Sequence, residues 1–236
     1  MGVSEAPAPA RRLIKTARQR YRMADGPLLV FVGSLVEEKG VDDLIEAVAI
    51  LSSHLPNVTS LVIGDGPLAR DLRSLAAALG VADRIAFPRW VEPSELPVIL
   101  AAADVFVGPS KQIPNGGVEA QSLTFLEAML YGLPVIATEV GGIVDAIRHE
   151  QTGLLVPPNS PEDIAQAVER LTTTPSLGAT IAAAGQDLVR RDFTRRHGAA
   201  QFSRLFERLM TGRQEGRCKE VTPTRSSAET RSACQP

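Results

Sequence analysis

The chain has 236 residues, of which 44% are hydrophobic and 22% are charged, and its formal net charge is −2 at pH 7. This charge gives no whole-chain attraction to nucleic acid or anionic membranes, and an aromatic content of 4% argues against a base-stacking RNA platform. Cys218 and Cys234 have neither disulfide-framework nor zinc spacing. Without a membrane-spanning run or a signal peptide in the sequence, we expect a cytoplasmic globular protein.

The first 26 residues are predicted to be a basic, partly disordered lead-in. Residues 1–10 are rich in proline and alanine, which favours disorder. The segment 11–22 carries six lysines and arginines and no acid. It has two interpretations, a basic amphipathic helix at the inner face of a membrane or a solvated lead-in, and its small apolar face favours the second.

From Leu28 onward, apolar runs alternate with segments of helical period. The run 28–33 is apolar throughout until its final glycine, which is typical of a strand buried on both faces of a parallel sheet. The predicted strands are 28–33, 58–64, 84–91, 104–110, 134–138 and 153–157. The predicted helices are 41–55, 67–80, 94–103, a helix that ends at Gly132, 143–150, 161–173, 177–192 and 194–210.

This alternation predicts an α/β fold: a single Rossmann-like, doubly wound parallel sheet of about six strands with helices on both faces. It occupies 27–211, and the polar segment 212–236 is predicted to be a disordered tail. Such folds bind ligands outside the carboxyl ends of the strands, where the strand order reverses. Polar or glycine-rich loops follow the first, second, fourth and fifth strands, so we expect a binding site there.

The stretch 116–138 contains two glutamates eight positions apart, Glu119 and Glu127. On one continuous helix they would be about 12 Å apart, which suits the two ends of an elongated ligand. A helix N-terminus around Ser122–Phe125 would favour an anion between them. From spacing alone, an ordinary amphipathic helix with a solvated glutamate is the simpler interpretation.

Five stretches, in this order, resemble the C-terminal, donor-binding half of the family-four retaining glycosyltransferases of GT-B fold. They are FVGSLVEEKGVDDLIEAV (31–48), LVIGDGPLARDL (61–72), ADVFVGPS (103–110), EAQSLTFLEAMLYGLPVIATEVGGIVDAI (119–147) and TGLLVPPNSPEDIA (152–165). The long loop between Ser110 and Glu119 is most similar to enzymes of bacterial exopolysaccharide synthesis.

The resemblance implies that Lys39 and Glu119 are catalytic. Lys39 would bind the donor diphosphate and stabilise the departing charge, and Glu119 would accept hydrogen bonds from the transferred sugar. Glu127 would accept them from the ribose, while backbone N–H groups near Leu123 and Thr124 would hold phosphate oxygens. The donor-binding positions are Gly33, Ser34, Lys39, Gly66, Trp90, Val91, Ser122, Leu123, Thr124 and Glu127.

The implied substrate is a UDP- or GDP-sugar, with no cofactor and no metal. The implied activity is retaining hexosyl transfer to an acceptor sugar or lipid-linked saccharide in exopolysaccharide or glycolipid synthesis. The residues before the first strand are too few for the family's acceptor-binding domain, so we expect that domain on another chain, or this chain to be a fragment of a longer gene product. Nucleic acid is not an expected partner.

Three features depart from the family pattern. Ser34 stands where an arginine is common, Arg89 is a speculative replacement for it, and Ala120 and Ser122 replace common glycines. Two alternatives therefore stay open. One is a non-catalytic nucleotide-sugar-binding remnant. The other is a dinucleotide-dependent oxidoreductase, because residues 64–69 fit the pattern G-x-G-x-x-A.

Overall fold

The computed structural model describes residues 2–4, 8–21, 26–113 and 123–215. All six strands of its sheet run parallel, in the order β3-β2-β1-β4-β5-β6, with pairing from Leu28 beside Thr59 to Thr138 beside Val156. The strands are β1 (Leu28–Val32), β2 (Thr59–Ile63), β3 (Ile85–Ala86), β4 (Val105–Gly108), β5 (Val135–Thr138) and β6 (Leu154–Val156). The predicted fold class is confirmed.

Helices cover both faces of the sheet. They are α1 (Arg11–Arg20), α2 (Val41–Leu51), α3 (Ala69–Ala78), α4 (Leu96–Ala102), α5 (Leu123–Leu130), α6 (Ile143–Ala146), α7 (Pro161–Thr173), α8 (Pro175–Asp192) and α9 (Arg195–Glu215). Packing of α2 against α7 and of α5 against α8 builds the two layers. Among the described residues, no helix has the length and apolar character needed to cross a membrane.

Alternate residues of β1 enter two separate hydrophobic cores. Leu29 and Phe31 belong to the core under α2, α3 and α7, whereas Leu28 and Val30 belong to the core under α4 and α5. Both faces of the strand are therefore buried, which explains its apolar sequence.

The sequence predicted too long a third strand. Only Ile85 and Ala86 pair with β2, whereas the prediction covered 84–91. Pro88 lacks the N–H that a continued ladder requires, so regular pairing ends before it, although its carbonyl still accepts a hydrogen bond from the Gly64 N–H at 3.5 Å. The turn that follows carries Arg89 and Trp90 at the sheet edge.

The segment 11–20 differs from the favoured interpretation of a solvated lead-in. It forms α1, which packs against α4 with Ala17 buried. Arg18 and Arg20 form ion pairs with Asp104 and Glu95 respectively. These contacts attach the helix to the domain.

The chain divides into two compact units, Met1–Gly198 and Ala199–Pro236. The first contains the sheet. In the second, five apolar side chains of α9 are more than half exposed: Phe202, Leu205, Phe206, Leu209 and Met210. Their spacing places them on one helical face. Most of the predicted disordered tail lies outside the described residues, and so do both cysteines.

Candidate active site

A cavity of about 170 Å³ opens between the carboxyl ends of β1 and β4. From these two neighbours the sheet extends in opposite directions, so the cavity lies where the strand order reverses. We call this cavity the crevice. It is lined by Phe31, Val32, Gly33, Ser34, Lys39, Phe106, Gly108, Ser110, Thr124 and Phe125. The sequence predicted a ligand site at this edge of the sheet.

The first turn of α5 forms one wall of the crevice. Gly108 makes this approach possible, since a Cβ at this position would lie 2.1 Å from Cζ of Phe125. The Phe125 ring packs edge-on against Phe106, with ring centroids 5.3 Å apart. Thr124 lines the crevice beside it. Because the N–H groups of a first helical turn have no acceptor within the helix, this wall favours an anion.

Lys39 lines the same crevice from the loop after β1. It ends a single 3-10 turn, Glu37–Lys39, and its backbone N–H donates to the Val36 carbonyl at 3.1 Å. Gly40, the next residue, has a φ of +60°, and a Cβ there would lie 1.9 Å from the Pro109 carbonyl oxygen. Glycine therefore allows the loops after β1 and β4 to touch directly behind Lys39.

Glu127 lines a second, smaller cavity of about 120 Å³, which we call the Glu127 pocket. Leu123 lines this pocket and the next residue, Thr124, lines the crevice, so the first turn of α5 lies between the two cavities. The pocket is lined by Gly2, Val3, Ser4, Pro93, Leu96, Pro97, Leu100, Leu123, Glu127, Leu130, Tyr131 and Arg195.

The Glu127 carboxyl is half-buried, and this burial raises its pKa, while the positive charge of Arg195 acts in the opposite direction. Burial and the nearby Glu127 charge also raise the pKa of the Tyr131 hydroxyl. Glu127 therefore ionises at a higher pH than an exposed glutamate, and only the ionised carboxylate accepts hydrogen bonds at both of its oxygens without donating one.

The other predicted donor-binding residues have different surroundings. Trp90 is 68% exposed, and Val91 packs partly buried against the core. A Cβ on Gly66 would lie 2.4 Å from the Leu35 carbonyl oxygen, so this glycine packs against the loop after β1. Glu119 and Ser122 lie outside the described residues, and so does Ala120. The structure thus brings together Gly33, Ser34, Lys39 and Thr124, with Leu123 and Glu127 adjacent.

The pattern at 64–69 has a packing explanation. Gly64 has a φ of +147°, and a Cβ there would lie 1.8 Å from the Gly33 carbonyl oxygen. Together with Gly66, this residue allows the loop after β2 to contact the loop after β1. The glycines are needed for this contact whether or not a dinucleotide binds, so they do not favour an oxidoreductase.

Arg89 binds an acid from the loop after β2. Its Nε and Nη2 donate to Oδ2 of Asp65 at 3.0 and 2.7 Å, and these hydrogen bonds lower the pKa of Asp65. Arg89 does not line the crevice in the described part of the chain. Its suggested role as a substitute for arginine at position 34 gains no support from this geometry.

Two basic residues near these cavities were not predicted. Arg195 faces Glu127, although it lies at the start of α9, far away in sequence. Lys111 lies just behind the crevice, in the loop after β4, and binds Asp42 and Asp43. No spacing signal links either residue to its partners, because the pairs form between parts of the chain that are distant in sequence and meet only in the fold.

Chemically, the site offers positive potential in the crevice and a carboxylate in the pocket beside it. Lys39 and the first turn of α5 could hold an anion. Glu127 could accept hydrogen bonds from hydroxyl groups. Within the described residues there is no group of three or more His, Cys, Asp or Glu residues able to hold a metal ion.

The chain is similar to known proteins over most of its length. A sequence model of the family "Glycosyl transferases group 1" matches residues 14–187. A GDP-mannose-dependent alpha-(1-6)-phosphatidylinositol monomannoside mannosyltransferase of Mycobacterium tuberculosis (strain CDC 1551 / Oshkosh) is 36% identical over 184 residues, which are 78% of this chain and 47% of that protein. The chain spans about half the length of the curated relatives it matches.

Solved structures share the fold. HepE of Anabaena in complex with UDP-glucose superposes with a TM-score of 0.76 at 24% identity, over 84% of this chain and 53% of that one. The C-terminal domain of the glycosyl transferase group 1 family protein LpcC from Francisella tularensis has a TM-score of 0.67 at 27% identity, over 79% of this chain and 95% of that one.

We expect Lys39→Ala to weaken the binding of inorganic pyrophosphate. Loss of a hydrogen bond to a charged group costs about 2 kcal/mol, or roughly thirty-fold in Kd. Isothermal titration calorimetry at low ionic strength measures the effect. Lys15→Ala, which removes an exposed lysine of α1, is the control. Equal affinities for the Lys39 variant and the unmodified chain would remove Lys39 from the anion site.

Proposed function

The chain belongs to the glycosyl transferases group 1 family, and we propose that it binds a nucleoside diphosphate sugar for retaining transfer of a hexosyl group. One observation carries this proposal: a crevice with Lys39 and a helix N-terminus adjoins a pocket with Glu127. A nucleoside diphosphate has the matching order of groups, with phosphates next to a ribose that carries hydroxyls.

The proposed chemistry is stabilisation of a leaving group. Transfer breaks the bond between the anomeric carbon and a diphosphate oxygen and forms a bond to the acceptor oxygen, whose hydroxyl proton passes to the departing diphosphate. Negative charge develops on the diphosphate as the first bond breaks. Lys39 and the N–H groups of α5 face that charge, and donors fixed in place before reaction lower the barrier. Glu119 is proposed to hold the transferred sugar. The donor itself supplies the phosphates, and no cofactor is proposed.

The donor is proposed to be a UDP- or GDP-sugar. A similar enzyme is described as GDP-mannose-dependent, and a structural neighbour was solved with UDP-glucose. Trp90 adds an exposed aromatic surface at the same edge of the sheet, where a nucleobase could stack. A role in exopolysaccharide or glycolipid synthesis remains part of the proposal because the long loop after Ser110 resembles enzymes of that group.

Glu127→Ala is expected to weaken the binding of a UDP- or GDP-sugar by about 2 kcal/mol, since hydrogen bonds to a charged acceptor are lost. Inorganic pyrophosphate should bind unchanged, because Glu127 lies in the neighbouring pocket. Calorimetry with UDP-glucose and GDP-mannose measures both effects, and Glu162→Ala, at an exposed glutamate of α7, is the control. Folded protein that binds neither sugar nucleotide at millimolar concentration would reject the proposal.

The same titration should depend on pH. Because burial raises the pKa of Glu127, its carboxylate becomes protonated at a higher pH than an exposed glutamate as the solution is acidified. Sugar-nucleotide affinity should therefore fall as the pH drops through this raised pKa. Glu127→Gln should lose this part of the pH dependence. If the variant keeps the full dependence, another group is responsible.

Association with an acceptor-binding domain is the second part of the proposal. The chain spans about half the length of its curated relatives. In the unit Ala199–Pro236, α9 has an apolar face on which Phe202, Phe206 and Met210 are 59%, 63% and 65% exposed. A contiguous apolar face of this kind favours a protein partner.

We expect labelled sugar to be transferred only when the chain is mixed with an acceptor-binding domain from a group 1 relative and an acceptor saccharide. Phe206→Asp should abolish the stimulation because it places a charge on the apolar face of α9. Arg204→Asp, on the opposite side of the helix, is the matched control. Donor binding without transfer in any mixture would favour the alternative, a non-catalytic nucleotide-sugar-binding remnant.

A peripheral contact with the inner face of a membrane is the third part. Arg11, Arg12 and Lys15 of α1 are exposed, and the described residues give them no ion pair. Each cation close to an anionic lipid surface contributes about 1 kcal/mol. A lipid-linked acceptor would then be near the site.

Sedimentation with phosphatidylglycerol-containing liposomes tests this contact. The triple change Arg11→Glu, Arg12→Glu and Lys15→Glu should reduce pelleting at low salt at least ten-fold, by the same electrostatic contribution. The control reverses three exposed arginines elsewhere, Arg70, Arg148 and Arg196, and changes net charge equally. Equal pelleting of the two variants would show that α1 provides no specific contact.

A further inference from the structure

A largely buried lysine directly behind the crevice binds two carboxylates. The Nζ atom of Lys111 lies 2.7 Å from Oδ2 of Asp42 and 2.8 Å from Oδ1 of Asp43. The Lys111 side chain is 13% exposed and that of Asp43 only 6%. Both aspartates belong to the first turn of α2, where negative charge is favourable. Lys111 therefore connects the loop after β4 to the start of α2.

A second bond connects the same two loops on the other side of Lys39. The Lys111 backbone N–H donates to the Glu38 carbonyl at 2.8 Å. Between the two attachments, Gly40 packs against the Pro109 carbonyl. The chain is thus fixed immediately before Lys39, immediately after it, and again at the first turn of α2.

A contact that only stabilised the fold would not need these charges. Removing ions from water is costly, and a buried ion pair often stabilises a fold no better than apolar residues of the same size. Burial raises the pKa of Asp43 although Lys111 opposes the rise. For Lys111, the hydrogen bonds to Asp42 and Asp43 outweigh burial and raise its pKa. The ion pairs are directional, however, and they fix the start of α2 relative to the loop after β4.

We propose that Lys111 is a positioning residue for diphosphate binding: it clamps the segment 38–43 so that Lys39 faces the crevice. This inference rests on the proposed function of the crevice. Lys111 does not touch the ligand, because both aspartates hold its ammonium group. Without the clamp, the loop must be ordered when the anion binds, and this ordering reduces the affinity.

The first test is Lys111→Met, which keeps the length of the side chain and removes its charge. It should weaken inorganic pyrophosphate binding about ten-fold, through the cost of ordering the loop. Lys111→Arg keeps the charge and can bind both aspartates, so it should restore affinity to within about three-fold. Unchanged affinity of the methionine variant would overturn the proposal.

A double-mutant cycle with Lys39→Ala separates positioning from simpler effects. If Lys111 acts through Lys39, Lys111→Met should have almost no further effect when Lys39 is already alanine. A direct attraction between Lys111 and the anion, or general loosening of the domain, would persist in that background. An equal loss in both backgrounds would therefore contradict the positioning role.

Two further measurements complete the test. Denaturant unfolding verifies that Lys111→Met is folded. If it is not, Asp42→Asn replaces it, because Asp42 is half-exposed and Asp43 remains to hold Lys111. Asp42→Asn should then weaken pyrophosphate binding by about two- to three-fold, because one of the two ion pairs remains and roughly half of the cost of ordering the loop is incurred. This loss should disappear when Lys39 is alanine.

The probe also distinguishes this inference from the proposed function. An unmodified chain that binds pyrophosphate but neither UDP-glucose nor GDP-mannose would reject the proposed function, and the clamp would be judged on pyrophosphate alone. An unmodified chain that binds none of the three ligands rejects both. Normal sugar-nucleotide binding with an inert Lys111→Met change rejects only the clamp.

Discussion

The site depends on the reversal of strand order between β1 and β4. The chain leaves β1 toward β2 on one side and leaves β4 toward β5 on the other, so the loops that follow these two strands diverge and leave a crevice. Close backbone contacts set how far they diverge. Gly40 contacts Pro109 on the side of Lys39, and Gly108 admits the Phe125 ring on the side of α5. A side chain at either glycine would force apart the two walls that present positive potential to the crevice.

The sequence predicted most of the fold because burial on two faces leaves a simple pattern. The run 28–33 contains β1, and the predicted helix 161–173 is α7. The errors occur where local pattern and tertiary structure disagree. The segment 84–91 contains apolar residues, yet only Ile85 and Ala86 pair, because Pro88 ends the ladder. The basic segment 11–20 looked solvated because its apolar face is small, but Ala17 is sufficient for packing when Asp104 and Glu95 bind two of its arginines.

The candidate site was predictable only in part, for a related reason. Gly33 and Lys39 follow β1, and Thr124 lies in the first turn of the helix that follows β4, so the topological rule alone assembles them around one crevice. The roles given to Lys39 and Glu127 came from the family resemblance and not from spacing. Neither the topological rule nor the family resemblance predicted Arg195 or Lys111. Lys111 meets two aspartates from a distant part of the chain because parallel strands bring the loops at their carboxyl ends to one edge. Arg195 meets Glu127 because α5 packs against α8, the helix that precedes α9.

The position of Ser34 makes the loop geometry more important. Ser34 lines the crevice and offers a hydroxyl where an arginine is common in the family. Arg89 does not replace that charge, since Asp65 holds it. In the proposed reaction, Lys39 and the first turn of α5 are then the described groups that would face the developing diphosphate charge, and a helix terminus acts only over a short distance. Stabilisation of that charge would depend steeply on where the Lys39 ammonium lies, because preorganised donors act only when they are already in place. A loop fixed on both sides of Lys39, by Glu38 and by the two aspartates that bind Lys111, meets that requirement without a second arginine.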